Sequence, residues 1–404
     1  MKALTDTSGT HITSDGFIPL SKPEISGNEW RYVKDCLDSG WVSSAGEYVD
    51  RFEKKLAAYH GRRFGVATVN GTSALHLALV SCGVAPGDEV LVPAMTFVAT
   101  ANAVVYAGAK PVFMDCDGDT LCMDAEKVRG FLSNECSTGA EGMPVNRRSK
   151  RRVGAILPVH VLGHPAQMHE LCAIAREYNV PVIEDSAQAL GSEYSGGKAG
   201  SFGLASCLSF NGNKIITCGG GGMLLTDDSD VARRARHLST QAKEPHPYEF
   251  AHTEIGFNYR FSALQAAMGL AQAERLDEFV SAKRAHAAAY RELLSGIEGL
   301  EVVWERPWVR SNFWLCTIKV PARERDGLIE RLISERIQVR PLWTPLHTLS
   351  IYENCQAYAV EKAAEAHRRC ISLPSSAGLT GGEMERVCSV IKGHFERRWE
   401  KTDS

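Results

Sequence analysis

The feature that most constrains this chain is a strand–helix alternation beginning near residue 64. "FGVATV", "EVLVP", "PVFMD", "VGAILPVHV" and "VPVIED" are short apolar runs. Between them lie the helix-like stretches "GTSALHLALVSCG", "FVATANAVVYAG" and "MHELCAIAREYN". Strands apolar on both faces, each followed by a helix, form a parallel sheet covered on both sides. Sheets of this kind keep their ligands at the carboxyl ends of the strands. Polar residues at those ends therefore come first in any search for chemistry.

Two amphipathic helices are expected ahead of the alternation. "GNEWRYVKDCLDSG" puts Trp30, Val33, Cys36 and Leu37 on one face, and "EYVDRFEKKLAAYHG" does so with Val49, Phe52, Leu56 and Tyr59. Past residue 262 the Ala-rich stretch to Gly296 reads as one long helix, opened by a Ser262/Gln265 capping box. Two strand-like pieces and another helix follow. The expected layout is a large α/β domain with an N-terminal arm over residues 1–250 and a smaller α+β domain over 251–404.

Composition removes several function classes. With 404 residues and a net charge of −3, the chain has a sizeable core but no electrostatic footprint for nucleic acid. Its twelve cysteines include no CxxC pair, which leaves no zinc or dithiol motif and fits a reduced cytoplasm. "MKALTDTSGTHITSDG" lacks the apolar centre of a secretory signal. Residues 90–109 are uncharged and long enough to span a bilayer, but Pro93, Thr96, Thr100 and Asn102 interrupt them, so no membrane span is expected. The basic run 147–152 reads as a solvated loop, with polyanion docking as the alternative. Asp115, Asp117, Asp119 and Glu126 imitate a calcium loop, yet Thr120 stands where its glycine is required, so no metal is expected.

Four strand ends carry candidate chemistry. Gly71, Thr72 and Ser73 open a helix directly after a strand, where free N–H groups, hydroxyls and the helix dipole attract an anion. An ordinary N-cap without a ligand explains them equally. Asp185 closes a buried strand and needs a cationic partner or several hydrogen bonds; a protonated pyridine nitrogen is one such partner. Gln188 lies three residues further on. Phe97 follows another strand and is either core or a ring stacker. In "SFNGNKIITCGGGGML" the glycines come after Lys214 and a strand follows, which is not a Walker loop. A desolvated lysine has a lowered pKa and suits covalent work with carbonyls. Anion cradle, acid, aromatic and buried lysine together are the parts of a pyridoxal-phosphate site. Gly219 to Gly222 are then expected to form a tight turn, with Gly220 intolerant of a side chain.

"GWVSSAGEYVDRFEKKLAAYHG", "NGTSALHLAL", "PAMTFVATANAV", "EDSAQALGS", "SFNGNK" and "GFNYRFSALQAA" resemble the sugar aminotransferases of the DegT/DnrJ/EryC1/StrS family, over about residues 18 to 392. The resemblance implies the aspartate-aminotransferase type of fold (fold type I), pyridoxal 5'-phosphate as cofactor, and a cytoplasmic homodimer with sites shared between subunits. By matching positions, Lys214 looks like the Schiff-base lysine, Asp185 the ring-nitrogen partner and Gln188 the ring-hydroxyl contact. Phe97 matches the stacking position and Thr72, Ser73 and Ser209 the phosphate contacts. Asn258 matches the contact that reaches in from the neighbouring subunit. "RSNFWL" and "IQVRPLWTPLHTLSIYENCQAY" further resemble the subgroup tied to legionaminic acid and bacillosamine synthesis. That likeness implies amination, with glutamate as donor, at C4 of a UDP-linked 4-keto-6-deoxy-N-acetylhexosamine. Arg260, Arg340 and His347 are candidate contacts for diphosphate, carboxylate or sugar, and each also has a structural explanation. A GDP- or dTDP-linked 4-keto-6-deoxyhexose is the alternative substrate, and a non-catalytic regulatory protein on the same fold is the alternative class.

Overall fold

The computed structural model describes residues 16–402. The stretch read for a secretory signal lies, apart from Gly16, outside them. The helices α1 (Glu29–Ser39) and α2 (Glu47–Tyr59) lead into β1 (Phe64–Thr68), α3 (Gly71–Ser81), β2 (Glu89–Pro93), α4 (Ala99–Tyr106) and β3 (Lys110–Met114). Next come α5 (Ala125–Glu135), β4 (Val153–Ile156), α6 (Met168–Glu177), β5 (Ile183–Asp185), β6 (Ala205–Ser209), β7 (Gly222–Thr226) and α7 (Ser229–Leu238). Strands β3, β2 and β4 are parallel neighbours. Parallel bridges Ile156↔Val182 and Val159↔Asp185 carry that sheet on to β5. Beyond β5, β6 pairs parallel, β7 runs antiparallel to β6, and β1 closes the order against β7. This is the α/β architecture of a fold type I transferase, and the residues at its carboxyl edge are those the alternation singled out.

The C-terminal part contains α8 (Ala263–Glu274), α9 (Leu276–Leu293), β8 (Glu301–Val302), β9 (Thr317–Lys319), α10 (Ala322–Ser334) and β10 (Arg340–Pro341). It finishes with β11 (Ala357–Tyr358), α11 (Lys362–Arg369), β12 (Cys370–Ser372) and α12 (Gly381–Thr402). Four of these strands make an antiparallel sheet ordered β8-β9-β12-β10. β11 instead pairs parallel with β3, so the C-terminal part also supplies an edge of the large sheet. Buried side chains form two cores. The larger surrounds the main sheet, and the smaller joins Ile18 to residues from Ala287 to Phe395.

Three expectations are corrected. The α1 face that packs on α8 carries Glu29, Tyr32 and Cys36, while Trp30 is 81% exposed and Leu37 58%. Polar anchors rotate that stripe: the Tyr32 hydroxyl donates to Glu274 Oε1 at 2.6 Å. The long helix is two helices broken at Arg275, whose N–H bonds back to Gln272 O. The capping box at Ser262 and Gln265 is present. In the glycine turn, a Cβ on Gly220 would meet nothing closer than 3.7 Å. Gly221 is the demanding position, with φ +131° and a Cβ that would lie 2.5 Å from Phe261.

The acidic cluster is a structural device. Asp115 ends β3 buried, accepts from Lys127 Nζ at 2.6 Å, and caps α11 by accepting from the backbone N–H of Glu361, Lys362 and Ala363. Asp117 accepts from the N–H groups of Asp119 and Thr120 in a turn. Much of the basic run also bonds inward: Arg147 to Asn134 O, Arg151 to Gly87 O, and Arg152 to Asp88. Among the described residues no helix is long and apolar enough to cross a membrane.

Lys283 on α9 is buried without a carboxylate. Its amine donates to the carbonyls of Trp314, at 3.2 Å, and Ser375. A neutral amine has two N–H groups for those two acceptors, and burial lowers its pKa to about 7. Between about pH 7 and the unfolded value of 10.5 the unfolded chain binds a proton there that the folded chain does not, so stability rises with pH.

Two measurements check these features. Urea unfolding from pH 7.5 to 9.5 should show Lys283→Met losing a pH slope of about 1.4 kcal/mol per unit. A mutant slope equal to wild type would contradict a neutral Lys283. Gly221→Ala should lower the melting temperature by several degrees, through about 1–3 kcal/mol of strain, while Gly220→Ala leaves it nearly unchanged.

Candidate active site

At the carboxyl end of β6, the N-terminus of α3 presses against Ser209. A Cβ on Gly71 would come within 2.8 Å of the Ser209 Cβ, so only glycine lets helix and strand meet there. The Thr72 and Ser73 hydroxyls belong to this first turn. One expected donor is already used: Asn70 Oδ1 caps α3 by accepting from Ser73 N–H at 2.8 Å. The remaining donors are the early N–H groups and the hydroxyls of Thr72, Ser73 and Ser209, a compact anion cradle at a helix N-terminus.

Asp185 stands at the end of β5, one strand from Ser209. It is 4% exposed. Thr100 Oγ1 donates to its Oδ2 at 2.8 Å and Ala187 N–H to its Oδ1 at 3.1 Å. Burial pushes its carboxyl above the usual value, and these two donors, Lys214 and His160 pull the other way without restoring it. A cation set against the remaining lone pairs would restore it. His160 supports the strand end from behind: its backbone N–H donates to Asp185 O at 3.1 Å. Ala166 N–H donates to His160 Nδ1, so Nε2 carries the ring proton and donates to buried Glu184 at 2.9 Å.

Lys214 lies on the loop from β6 to β7, half-buried. Burial lowers its pKa to about 8, against an opposing pull from Asp185. Its Nζ stands 4.0 Å from the centroid of the Trp314 ring. Gln188, buried beyond Asp185, accepts the N–H of Leu162 on Oε1 at 2.7 Å, which orients the amide and leaves its NH₂ end to donate. Leu162 pays for that placement with a left-handed backbone, φ 58°.

These groups match what pyridoxal phosphate presents. Were it bound, its aldehyde would suit the amine, its ring nitrogen the carboxylate, its ring hydroxyl the amide and its phosphate the N-terminus of α3 with the nearby hydroxyls. The other expected residues stand further out. Phe97 follows β2 and is 54% exposed. His347 is close to that turn, because Leu346 N–H bonds to Ala94 O; its buried Nδ1 has no partner. Asn258 is exposed and bridged to Thr240. Arg260 donates to Ser44 O at 2.8 Å, a structural task. Arg340 is exposed and bonds only its neighbour Val339 O, beside a cavity of about 390 Å³ that Asn213 and Trp314 also line. Sequence reasoning missed Thr100, His160 and Trp314. Thr100 left one trace, a polar break in an apolar helix; Trp314, a hundred positions from Lys214, left only its place in the motif "RSNFWL".

A family model described as the DegT/DnrJ/EryC1/StrS aminotransferase family matches residues 23–392. The chain is 38% identical over 381 residues to a GDP-perosamine synthase of Caulobacter vibrioides, covering 93% of this chain and 97% of that protein. A GDP-perosamine synthase of Escherichia coli O157:H7 is 37% identical, covering 94% and 99%. The solved structure of DesI in the presence of its TDP-sugar product superposes with a TM-score of 0.85 at 28% identity, covering 96% and 95%.

A titration tests the electrostatics of this site. Reagent labelling of Lys214 in cofactor-free protein should rise about tenfold per pH unit below about 8 and level off above it. A midpoint near 10.5 would contradict the burial described.

Proposed function

The chain belongs to the DegT/DnrJ/EryC1/StrS aminotransferase family, and from that premise we propose that it moves an amino group from glutamate to C4 of a nucleotide-linked 4-keto-6-deoxy sugar. As a member it is a pyridoxal-phosphate-dependent enzyme. The observation that carries the proposal is the electrostatic coupling of Lys214, on the loop after β6, to Asp185 at the end of neighbouring β5, in a chain 38% identical to a GDP-perosamine synthase.

Each residue's task follows from its position. The cradle of Gly71, Thr72, Ser73 and Ser209 binds the phosphate. Asp185, oriented by Thr100 and Ala187, holds a proton on the ring nitrogen. Gln188 donates to the ring hydroxyl, and Phe97 covers a ring face and excludes water. Bound there, pyridoxal phosphate supplies an aldehyde that carries the amino group and a ring that withdraws electrons from the carbon being deprotonated. Lys214, neutral above about pH 8, takes the proton from the donor's Cα and returns it on the far side of the transfer. Donor and acceptor use the site in turn, so ping-pong kinetics follow.

Arg260, Arg340 and His347 are the residues proposed to meet the diphosphate, donor carboxylate or sugar, Arg260 with the N–H groups beyond the one that Ser44 O holds. The exposure of Phe97 and Asn258 in a single chain supports a homodimer in which a second subunit covers them. The division into a cofactor domain (1–250) and a C-terminal domain (251–404) belongs to the proposal, as does a cytoplasmic location.

For the nucleotide, the identity to two GDP-perosamine synthases favours a GDP-linked 4-keto-6-deoxyhexose. A UDP-linked N-acetyl sugar on a legionaminic acid or bacillosamine route is the second reading. It rests on motifs such as "RSNFWL". Incubating the enzyme with glutamate and GDP-, UDP- or dTDP-linked 4-keto-6-deoxy sugars, with products read by mass, decides between them. Amination of the GDP sugar is expected. Amination of the UDP sugar alone selects the second reading, and no amination of any sugar overturns the proposed function.

A further inference from the structure

The motif "RSNFWL" has a physical task that the site description leaves open. Its residues are held more tightly than a loop requires. Asn312 is fully buried, and its Nδ2 donates to Gln188 O at 3.0 Å and to Leu190 O at 2.9 Å. Its Oδ1 accepts from Trp314 N–H at 2.8 Å. Phe313 between them has a left-handed backbone, φ 46°, a strain that persists only where neighbours impose it. From the other side, Lys283 donates to Trp314 O. The result is one fixed indole. Its Nε1 donates to Asn213 O at 2.6 Å, an oxygen that also accepts from Ser21 Oγ, and its face lies 4.0 Å from Lys214 Nζ.

We propose that Trp314 is a positioning residue for Lys214: its N–H pins the loop carrying the lysine, and its ring face holds the amine whenever that amine is free. This rests on the reading of Lys214 as the cofactor-bearing lysine. An unattached lysine side chain samples many rotamers, and ordering it opposes binding. An aromatic face offsets that cost by attracting the ammonium, more strongly as water is excluded. Because the attraction favours the charged form, the ring keeps Lys214 more basic than burial alone would allow, while Asp185 contributes separately.

Fluorinated tryptophan tests the ring without changing its shape. Protein carrying no, one or two fluorines per indole is made cofactor-free, and the pH midpoint of Lys214 labelling is read by mass spectrometry. The midpoint should fall by a few tenths of a unit per fluorine, about 1 unit in all at most. In a Trp314→Phe background the dependence should vanish, since Trp314 is the tryptophan whose ring, among the described residues, lies over this amine. Trp314→Phe, which keeps a ring but loses the N–H, should also speed cofactor loss about fivefold, through loss of the loop-anchoring hydrogen bond. A midpoint indifferent to fluorine, or equally sensitive in Trp314→Phe, would overturn the inference and leave the aminotransferase reading intact. If Lys214→Ala still develops the cofactor's absorption band on loading, the reading of Lys214 itself has failed.

Discussion

Among the described residues, Asp185 is a carboxylate buried at a strand end with two hydrogen-bond donors and no cation in contact. Burying an ionised group without a partner costs several kcal/mol, and the surrounding structure is arranged around that cost. Thr100 reaches it from α4 and Ala187 from the turn that follows. His160, fixed in one tautomer by Ala166 and Glu184, secures the backbone behind it. The charge left over faces the side on which Lys214 stands.

The large sheet makes this arrangement possible. Parallel pairing brings the ends of β5 and β6 to one edge, and the close meeting of Gly71 with Ser209 sets a helix N-terminus beside them. The helix part of the anion cradle thus comes from a segment more than a hundred residues ahead of the acid and the amine. Local strain concentrates in the same place. Leu162 and Phe313, both left-handed, fasten respectively the Gln188 amide and the Trp314 indole. Neither conformation would survive without the contacts that hold it.

Much of this was legible in the sequence, and the rest was hidden for physical reasons. Buried strands advertise themselves by composition, so Asp185 at a strand end could be found from the pattern alone, whereas Ser209 came only from the family resemblance. Lys214 could be found because the glycines follow it and a strand comes next, which rules out a Walker loop. The side chains that orient them could not, because Thr100 and Trp314 act across the fold and their local context shows only packing. Helix α1 misled because amphipathic periodicity ranks Trp30 above Tyr32, whereas a hydrogen bond to Glu274 decides which side faces α8. In the glycine run, composition could not tell Gly220 from Gly221; the position of Phe261 does. The substrate's nucleotide was the least legible feature, since exposed residues such as Arg340 have few contacts in a single chain.

The central claim is that Lys214 is the residue to which the cofactor attaches. Loading the protein with pyridoxal phosphate, reducing with borohydride and mapping the peptides by mass spectrometry tests it most directly. The account predicts the reduced cofactor on Lys214 and, in Lys214→Ala, on no lysine at comparable yield. A modification located on another lysine in the wild-type protein, or none at all, would contradict it.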